Sequence, residues 1–154
     1  GGDSSKKAEI AEDNLQIALK QEIAQGLVEV ERKDGKVFVT VGSGGAFASG
    51  SAELTPEARQ IMSKIATASG GDAGSIVVSG HTDNVPLMFG SSFRDNWDLA
   101  AARASSVVQA MEQSGGANSD KMKAVSHGEA KPIESNDTAA GRAKNRRIEI
   151  EIQY

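Results

Sequence analysis

The sequence predicts a domain of mixed helices and strands in which helices cover a sheet. The 154 residues, of which 38% are hydrophobic, suffice to bury one core. A helical segment lies between two strand-like runs, and this order favours a helix-covered sheet. Residues 148–153 alternate apolar and polar side chains without interruption, as a strand with one buried face and one solvated face does.

Residues 5–26 have the pattern of a polar amphipathic helix. Its apolar residues are four apart at one set of positions and seven apart at another: Leu15, Leu19, Ile23 and Leu27, and then Ile10, Ile17 and Ala24. Such a helix can pack on the domain, pair with a second copy or serve as a linker. We expect residues 1–30 to form a linker with this helix and residues 31–154 to form the domain. The Gly1-Gly2 start without Met suggests a fragment of a longer chain.

A β-hairpin is predicted next, because residues 28–31 and 36–41 both alternate and Asp34-Gly35 between them is typical of a tight reversal. The following Gly42–Phe47 segment places Gly-x-Gly after a strand, as dinucleotide sites do. Phe47 stands where that fingerprint needs its third glycine, and no helix is expected to begin at once. No dinucleotide site is therefore expected, and no other cofactor is predicted.

The rest of the chain alternates helices and strands. Thr55 can cap a helix that begins at Pro56. Residues 75–79 are typical of a strand inside a sheet, and residues 97–113 of a helix with a broad apolar face. The remaining predicted elements are a strand at 123–126, a short helical turn from the caps at 136–138 through Gly141, and a last strand at 148–153.

The composition excludes several classes of protein. The formal net charge of −4 argues against a general nucleic-acid binder, which needs a basic surface to displace phosphate counterions. Cysteine is absent, so disulfides and thiolate sites are ruled out. No apolar run approaches the ~18 residues that a membrane-spanning helix needs. One local basic cluster is most simply a solvated helix end or strand start: Arg142, Lys144, Arg146 and Arg147.

Asp83 and Arg103 are the candidate binding residues. Asp83 follows a strand in a polar loop, where ligands gather in open sheets. Arg103 falls within the apolar arc of its helix, and a buried guanidinium keeps its charge, so an anion must meet it. That anion is either a carboxylate of the protein, such as Asp83 itself, or the carboxylate of a ligand. Together the two residues could bind a zwitterion.

A metal site or a catalytic site is the alternative from a different class. His81 and Asp83 point to one side of an extended segment, and with His127 they could form a three-ligand metal set. No carboxylate is placed beside them as a general base, and the sequence contains neither a serine nucleophile elbow nor a Cys–His pair. We therefore interpret the histidines as loop-orienting donors and predict no metal ligand and no catalytic residue.

Several spaced motifs resemble those of the OmpA-like peptidoglycan-binding domain, from about Val37 to the end of the chain. In order, they are Gly80-His81-Thr82-Asp83-Asn84, Asn96-Trp97-x-Leu99-x-x-x-Arg103-Ala104, Gly128-Glu129-x-x-Pro132 and Gly141-Arg142-x-x-Asn145-Arg146-Arg147-Ile148-Glu149. Two further stretches look most like flagellar motor stator B subunits of the MotB and PomB type: Phe93-x-x-Asn96-Trp97 and Phe47-x-x-Gly50-Ser51-Ala52-x-Leu54.

The resemblance implies an α+β fold, a two-layer β-α-β-α-β-β sandwich with a mixed sheet, preceded by the N-terminal amphipathic helix. In the family, an aspartate and an arginine at the positions of Asp83 and Arg103 hold the diaminopimelate of the peptidoglycan stem peptide. Supporting positions are Thr82, Asn84, Asn96, Leu99, Arg142 and Arg147. Ala100 departs from the family pattern, which usually has Ser after the Leu.

The resemblance also implies a function without catalysis, as the peptidoglycan anchor of a flagellar motor stator. It predicts a periplasmic domain of a single-pass inner-membrane protein, with residues 5–30 as the linker that releases the domain towards the wall. Expected partners are peptidoglycan, a stator A subunit of the MotA or PomA type through a transmembrane part outside this sequence, and a second copy. The alternatives are a general outer-membrane wall anchor of the OmpA or Pal type and a metal-dependent peptidoglycan hydrolase.

Overall fold

The computed structural model describes residues 2–154, and these form six α-helices, five strands and one short 3-10 helix at Ser119–Lys121. The helices are α1 (Gly2–Ala18), α2 (Lys20–Ala24), α3 (Ser43–Ala46), α4 (Pro56–Ala68), α5 (Asn96–Gln113) and α6 (Ala139–Asn145). The strands are β1 (Val28–Lys33), β2 (Lys36–Gly42), β3 (Ser75–His81), β4 (Met122–Gly128) and β5 (Arg147–Gln153). Within residues 2–154, no helix is both long and apolar enough to cross a membrane.

The five strands form one mixed sheet in the order β1-β2-β5-β3-β4. Only β3 and β4 run parallel, and the other neighbours are antiparallel. From β2 onwards the chain follows the expected β-α-β-α-β-β order, with the short α6 between the last two strands. The predicted hairpin supplies β1 as an additional edge strand. The α+β fold with a mixed sheet is therefore confirmed.

The core lies between one face of the sheet and the helices α1, α4 and α5. On β5, Ile148, Ile150 and Ile152 are fully buried, as their alternation with polar residues predicts. Thr55 caps α4 by accepting a hydrogen bond from the backbone nitrogen of Ala58 at 3.2 Å. The alternation of β5 and the cap at Thr55 each predict the element that is observed, because these local patterns agree with which residues the sheet and its helices bury.

The leading helix packs on the domain, which is one of the three arrangements that its pattern leaves open. Ala8, Leu15 and Leu19 are completely buried in the common core, and α1 contacts α4, β1 and β2. Ile17 is 76% exposed, so only one of the two apolar stripes faces the sheet. The expected boundary between residues 30 and 31 falls inside β1, which pairs with β2 along its whole length.

A short helix begins directly after β2, where none was expected. The backbone nitrogen of Ser43 donates to the carbonyl of Arg146 at 2.9 Å, and the nitrogen of Phe47 donates to the carbonyl of Ser43 at 2.9 Å. The second bond closes α3, a single turn that ends at the buried Phe47, and the first bond joins this turn to Arg146. The turn ties the end of β2 to the segment just before β5.

Helix α5 crosses β3 at a distance that only glycine allows. A Cβ atom at Gly80 would lie 2.2 Å from the carbonyl oxygen of Ala100 and 2.9 Å from its carbonyl carbon. Both atoms belong to the backbone, so neither can move without shifting the helix. This contact sets the spacing between the end of β3 and the first turns of α5.

Replacing Leu15 with Ala should lower the free energy of unfolding by about 2–5 kcal/mol, because it leaves a cavity beneath α1. The matched control Ile17→Ala, on the exposed side of the same helix, should change it by less than about 0.5 kcal/mol. Urea unfolding of the two variants measures both values. Equal, small effects would show that α1 does not belong to the folded domain.

Gly80→Ala should lower the free energy of unfolding by about 1–3 kcal/mol or more, since the added methyl must push α5 away from β3. Gly42→Ala is a control at the end of β2, where an added Cβ meets no atom within 4 Å and φ is −66°. Thermal unfolding compares the two variants. A Gly80→Ala protein as stable as the control would contradict the close approach.

Candidate ligand-binding cleft

An open cleft of about 820 Å³ lies where β3 ends and α5 begins. Its walls come from the segment after β2, from the loop after β3 and from the first two turns of α5. On the loop, Val85, Met88 and Phe89 are exposed to solvent. The polar and charged side chains at the cleft that the sequence or the geometry singles out are Thr82, Asp83, Asn96, Arg103 and Arg146.

Asp83 pairs with Arg146, and this pairing is absent from the sequence-based expectations. Oδ2 of Asp83 lies 2.6 Å from Nη1 of Arg146, while Oδ1 accepts a hydrogen bond from the backbone nitrogen of Val85 at 3.1 Å. Among residues 2–154, no carboxylate lies within 4.0 Å of the Arg103 guanidinium. The internal Asp83–Arg103 ion pair, one of the two alternatives for Arg103, is therefore not formed.

Arg103 is buried without an anionic partner in the described part of the chain. Its Nε donates to the carbonyl of Ser51 at 2.8 Å and its Nη2 to the carbonyl of Ala48 at 3.3 Å. The guanidinium also lies over the ring of Phe47, 4.9 Å from the centroid. Burial lowers the pKa of Arg103, the charge of Arg146 lowers it further and Asp83 opposes both, but a guanidinium stays charged at neutral pH.

Thr82 and Asn96 hold the turn that carries Asp83. Nδ2 of Asn96 donates to the carbonyl of Asp83 at 3.3 Å and to that of Val85 at 3.1 Å. The Thr82 hydroxyl donates to the carbonyl of Asp83 at 2.8 Å. Both side chains are buried, and Leu99 supplies the apolar wall beside them. Their contacts make them positioning residues for the Asp83 carboxylate.

Three of the predicted supporting residues do not line the cleft. Asn84 is exposed. Arg142 donates to the carbonyl of Asn136 at 2.9 Å. Arg147 is buried beside the sheet and donates to the carbonyls of Lys131 and Asn145 at 3.0 and 2.9 Å. The two arginines fasten the connection between β4 and α6, because their guanidinium groups supply donors for its backbone carbonyls.

The sequence-based prediction omits Arg146 from the site, although Arg146 belongs to the basic cluster of residues 142–147. The alternation of side chains along β5 could have identified it. Arg147 alternates in phase with Glu149 and Glu151 and so lies on their face of the sheet. Arg146, at the end of α6, then points the other way. The motif alone does not distinguish the two neighbouring arginines, whereas this alternation does.

The two histidines stack on each other beside the cleft. Their ring centroids are 4.9 Å apart with an interplanar angle of 19°. Nε2 of His81 lies 3.5 Å from Oε1 of Glu149, whose Oε2 accepts a hydrogen bond from Nε of Arg147 at 2.5 Å. His81 and then Arg147 lower the pKa of Glu149 to about 2. Within residues 2–154, no group of three His, Cys, Asp or Glu side chains is arranged to hold a metal ion.

Trp97 joins the start of α5 to the end of β4. A Cβ atom at Gly128 would lie 2.9 Å from the indole ring, and the Ser126 hydroxyl donates to the carbonyl of Trp97 at 2.7 Å. The Gly128-Glu129 motif thus leaves room for the indole. This packing places Asn96, the preceding residue, against the Asp83 turn.

A model of the OmpA family matches residues 46–146, a range that contains every charged residue of the cleft. Motility protein B of Bacillus subtilis is 42% identical over 77 residues, which are 50% of this chain and 29% of that protein. The chain therefore spans less than two thirds of the length of this relative.

Two solved structures share the fold. The cell wall anchor of the T6SS from Pseudomonas aeruginosa superposes with a TM-score of 0.80 at 30% identity, covering 90% of this chain and 96% of that one. The periplasmic domain of Helicobacter pylori MotB (residues 78–256) superposes with a TM-score of 0.73 at 28% identity, covering 82% of this chain and 81% of that one.

Glu149→Gln should destabilise the fold at neutral pH but not in strong acid. The folded-state pKa of about 2 lies below the ordinary 4.5, so the ionised carboxylate stabilises the fold above about pH 4.5 and this contribution is lost as the pH falls towards 2. After allowance for solvent screening of this partly exposed group, the loss at pH 7 should be about 1–2 kcal/mol.

Urea unfolding of wild type and variant between pH 2 and 7 measures this difference. Glu151→Gln, on the same strand and the same face, is the control and should show a smaller effect, since its nearest cation is Lys36 at 3.9 Å. A difference between wild type and Glu149→Gln that did not shrink below pH 4.5 would contradict the assignment.

Proposed function

The chain belongs to the OmpA family, and we propose that it is the peptidoglycan-binding domain that anchors a flagellar motor stator to the cell wall. The cleft carries the proposal: Asp83 and Arg103 line one 820 Å³ space without pairing with each other. Support comes from the similarity to Motility protein B of Bacillus subtilis, to the periplasmic domain of Helicobacter pylori MotB and to the T6SS cell wall anchor.

The ligand that we propose is the diaminopimelate of a peptidoglycan stem peptide. A ligand carboxylate can reach the donors of Arg103 that the Ser51 and Ala48 carbonyls leave free, since only Nε and Nη2 are used by those carbonyls. The ligand ammonium then binds at Asp83, which Thr82 and Asn96 hold in place. Asn84 remains a predicted contact at the rim, whereas Arg142 and Arg147 act by holding the connection between β4 and α6.

We propose binding without turnover. The imidazoles of His81 and His127 stack face to face, and burial together with the neighbouring His81 lowers the pKa of His127. Neither histidine lines the cleft in the described structure. Metal analysis of the purified domain and a muropeptide cleavage assay distinguish this proposal from a metal-dependent hydrolase.

The proposal that this domain belongs to a stator makes more claims than the proposal that it binds the cell wall. It includes location in the periplasm, a stator A subunit as partner and assembly with a second copy. A wall anchor that is not part of a stator is the second candidate, because the T6SS anchor covers more of this chain, 90%, than the Helicobacter MotB domain does, 82%. Co-purification of the whole gene product with a stator A subunit separates the two.

Arg103→Ala and Asp83→Asn should each weaken binding to purified sacculi by roughly tenfold to a hundredfold, the range expected when one charge-assisted contact is lost. Co-sedimentation with peptidoglycan measures the bound fraction. Arg59→Ala removes an exposed arginine of α4 outside the cleft and should bind like wild type.

Arg103 also holds the carbonyls of Ala48 and Ser51, so its variants need a test of folding. Arg103→Lys retains the charge but not the forked donors, and its unfolding midpoint should stay closer to wild type than that of Arg103→Ala while its binding stays weak. Unchanged sedimentation of both Arg103→Ala and Asp83→Asn would refute the site.

A further inference from the structure

The ends of β3 and β4 meet where the ladder between them is irregular. Gly80 lies opposite Ser126, but the next residue of β3 lies opposite Gly128. His127 is therefore an extra residue without a partner on β3, and a bulge of this kind disrupts the ladder at that point. Because β4 ends the sheet that residues 2–154 form, β3 is its one neighbouring strand. Side chains must therefore hold this end of β4 in place.

On one face of the sheet, the imidazole ring of His127 stacks on that of His81. The ring centroids are 4.9 Å apart and the ring planes are within 19° of parallel. His81 is 3% exposed, and neither of its ring nitrogens has a hydrogen-bond partner within residues 2–154. His81 therefore contributes a packing surface to the end of β3, and the ring of His127 covers this surface.

On the other face, the end of β4 is fastened to α5. The Ser126 hydroxyl donates to the carbonyl of Trp97, and the indole of Trp97 lies against Gly128. The carbonyl of Gly128 also accepts a hydrogen bond from the backbone nitrogen of Thr82 at 2.8 Å. Since Thr82 comes just before Asp83, a movement of this end of β4 reaches the turn that carries Asp83.

The stack favours the neutral form of His127. Burial and the neighbouring His81 lower the pKa of His127 below its ordinary 6.5. The cations Lys131 and Arg147 lower this pKa further, whereas Glu149 raises it. Glu149 also accepts a hydrogen bond from Arg147, so its charge is shared between two partners. A ring that leaves the stack for water escapes these effects, so it binds a proton more tightly than the stacked ring does.

We propose that the stacked pair of His81 and His127 is a pH-sensitive device that keeps the end of β4 on β3 at neutral pH and releases it in mild acid. A proton on His127 favours the separated rings, so acid shifts the equilibrium towards separation. The stabilisation of the closed arrangement is fully present above about pH 6.5 and is lost as the pH falls through the lowered pKa of His127. Neither ring lines the cleft in the described structure, so the device acts whatever the cleft binds.

Trp97 reports on this junction because it is the one tryptophan of the chain. Collisional quenching of its fluorescence by acrylamide, with the lifetime measured at each pH, gives the accessibility of the indole. In the 154-residue chain, the bimolecular quenching constant should rise as the pH falls from 8 to 5, with a midpoint below the ordinary 6.5 of histidine. The rise should be at most about twofold, since Trp97 is already 50% exposed. Far-UV circular dichroism should stay constant, because the opening is local.

Three variants complete the design. His127→Phe keeps a ring that can stack but cannot bind a proton, so its quenching constant should not change between pH 8 and 5. Lys131→Gln removes a cation that acts on His127 and should move the midpoint up, towards 6.5. Lys144→Gln makes the same charge change at an exposed position of α6 and should leave the midpoint where it is in wild type. The two lysine variants keep the test decisive if His127→Phe does not fold.

Four results would overturn the inference. If the quenching constant of wild type stays level down to pH 5, protonation does not release the end of β4. If His127→Phe shows the same rise as wild type, a different group is responsible. If Lys131→Gln and Lys144→Gln have the same midpoint, the charges around His127 do not control the opening. If circular dichroism changes together with the quenching, the whole domain unfolds and the pair is not a local device.

Discussion

The contact between Gly80 and the backbone of Ala100 is the constraint on which the cleft depends. It brings α5 onto the end of β3 so closely that the residues following each of the two contact points become neighbours. Asp83 comes three residues after Gly80, and Arg103 comes three residues after Ala100. Asp83 and Arg103, which are 20 positions apart in the chain, therefore line one cavity. The side-chain amide of Asn96, in the first turn of α5, donates a hydrogen bond to the backbone carbonyl of Asp83.

The charges at this point are arranged unfavourably for stability alone. Arg103 is buried against two carbonyl oxygens and the face of Phe47, and no carboxylate of the described chain is within ion-pairing distance. Asp83 does form an ion pair, but its partner is Arg146, whose side chain is partly exposed. A fold optimised only for stability would pair the two buried groups. Departures of this kind are expected where a protein binds something else.

The fold was largely predictable because its signals are local. The Asp34-Gly35 reversal, the Thr55 cap and the alternating isoleucines of β5 each specify an element without reference to the rest of the chain. The packing of α1 was not predictable, since two apolar stripes fit its pattern and only the sheet selects the one with Leu15. Within the site, Asp83 and Arg103 followed from placement. The alternation of β5 distinguishes Arg146 from Arg147, but the pairing of Arg146 with Asp83 did not follow from the sequence, because local periodicity does not encode a contact between residues 63 positions apart.

The position of the cleft within the sheet has a mechanical consequence. Asp83 follows β3 and Arg146 precedes β5, and these two strands are neighbours with a further strand on each side. Tension on a molecule bound in the cleft would enter the domain through these interior strands. If it acts along the strands, it loads the β2–β5, β5–β3 and β3–β4 ladders together in shear, so many hydrogen bonds must break at once. An attachment at β1 would instead peel a single edge ladder bond by bond, and the sheet would yield there at a lower force.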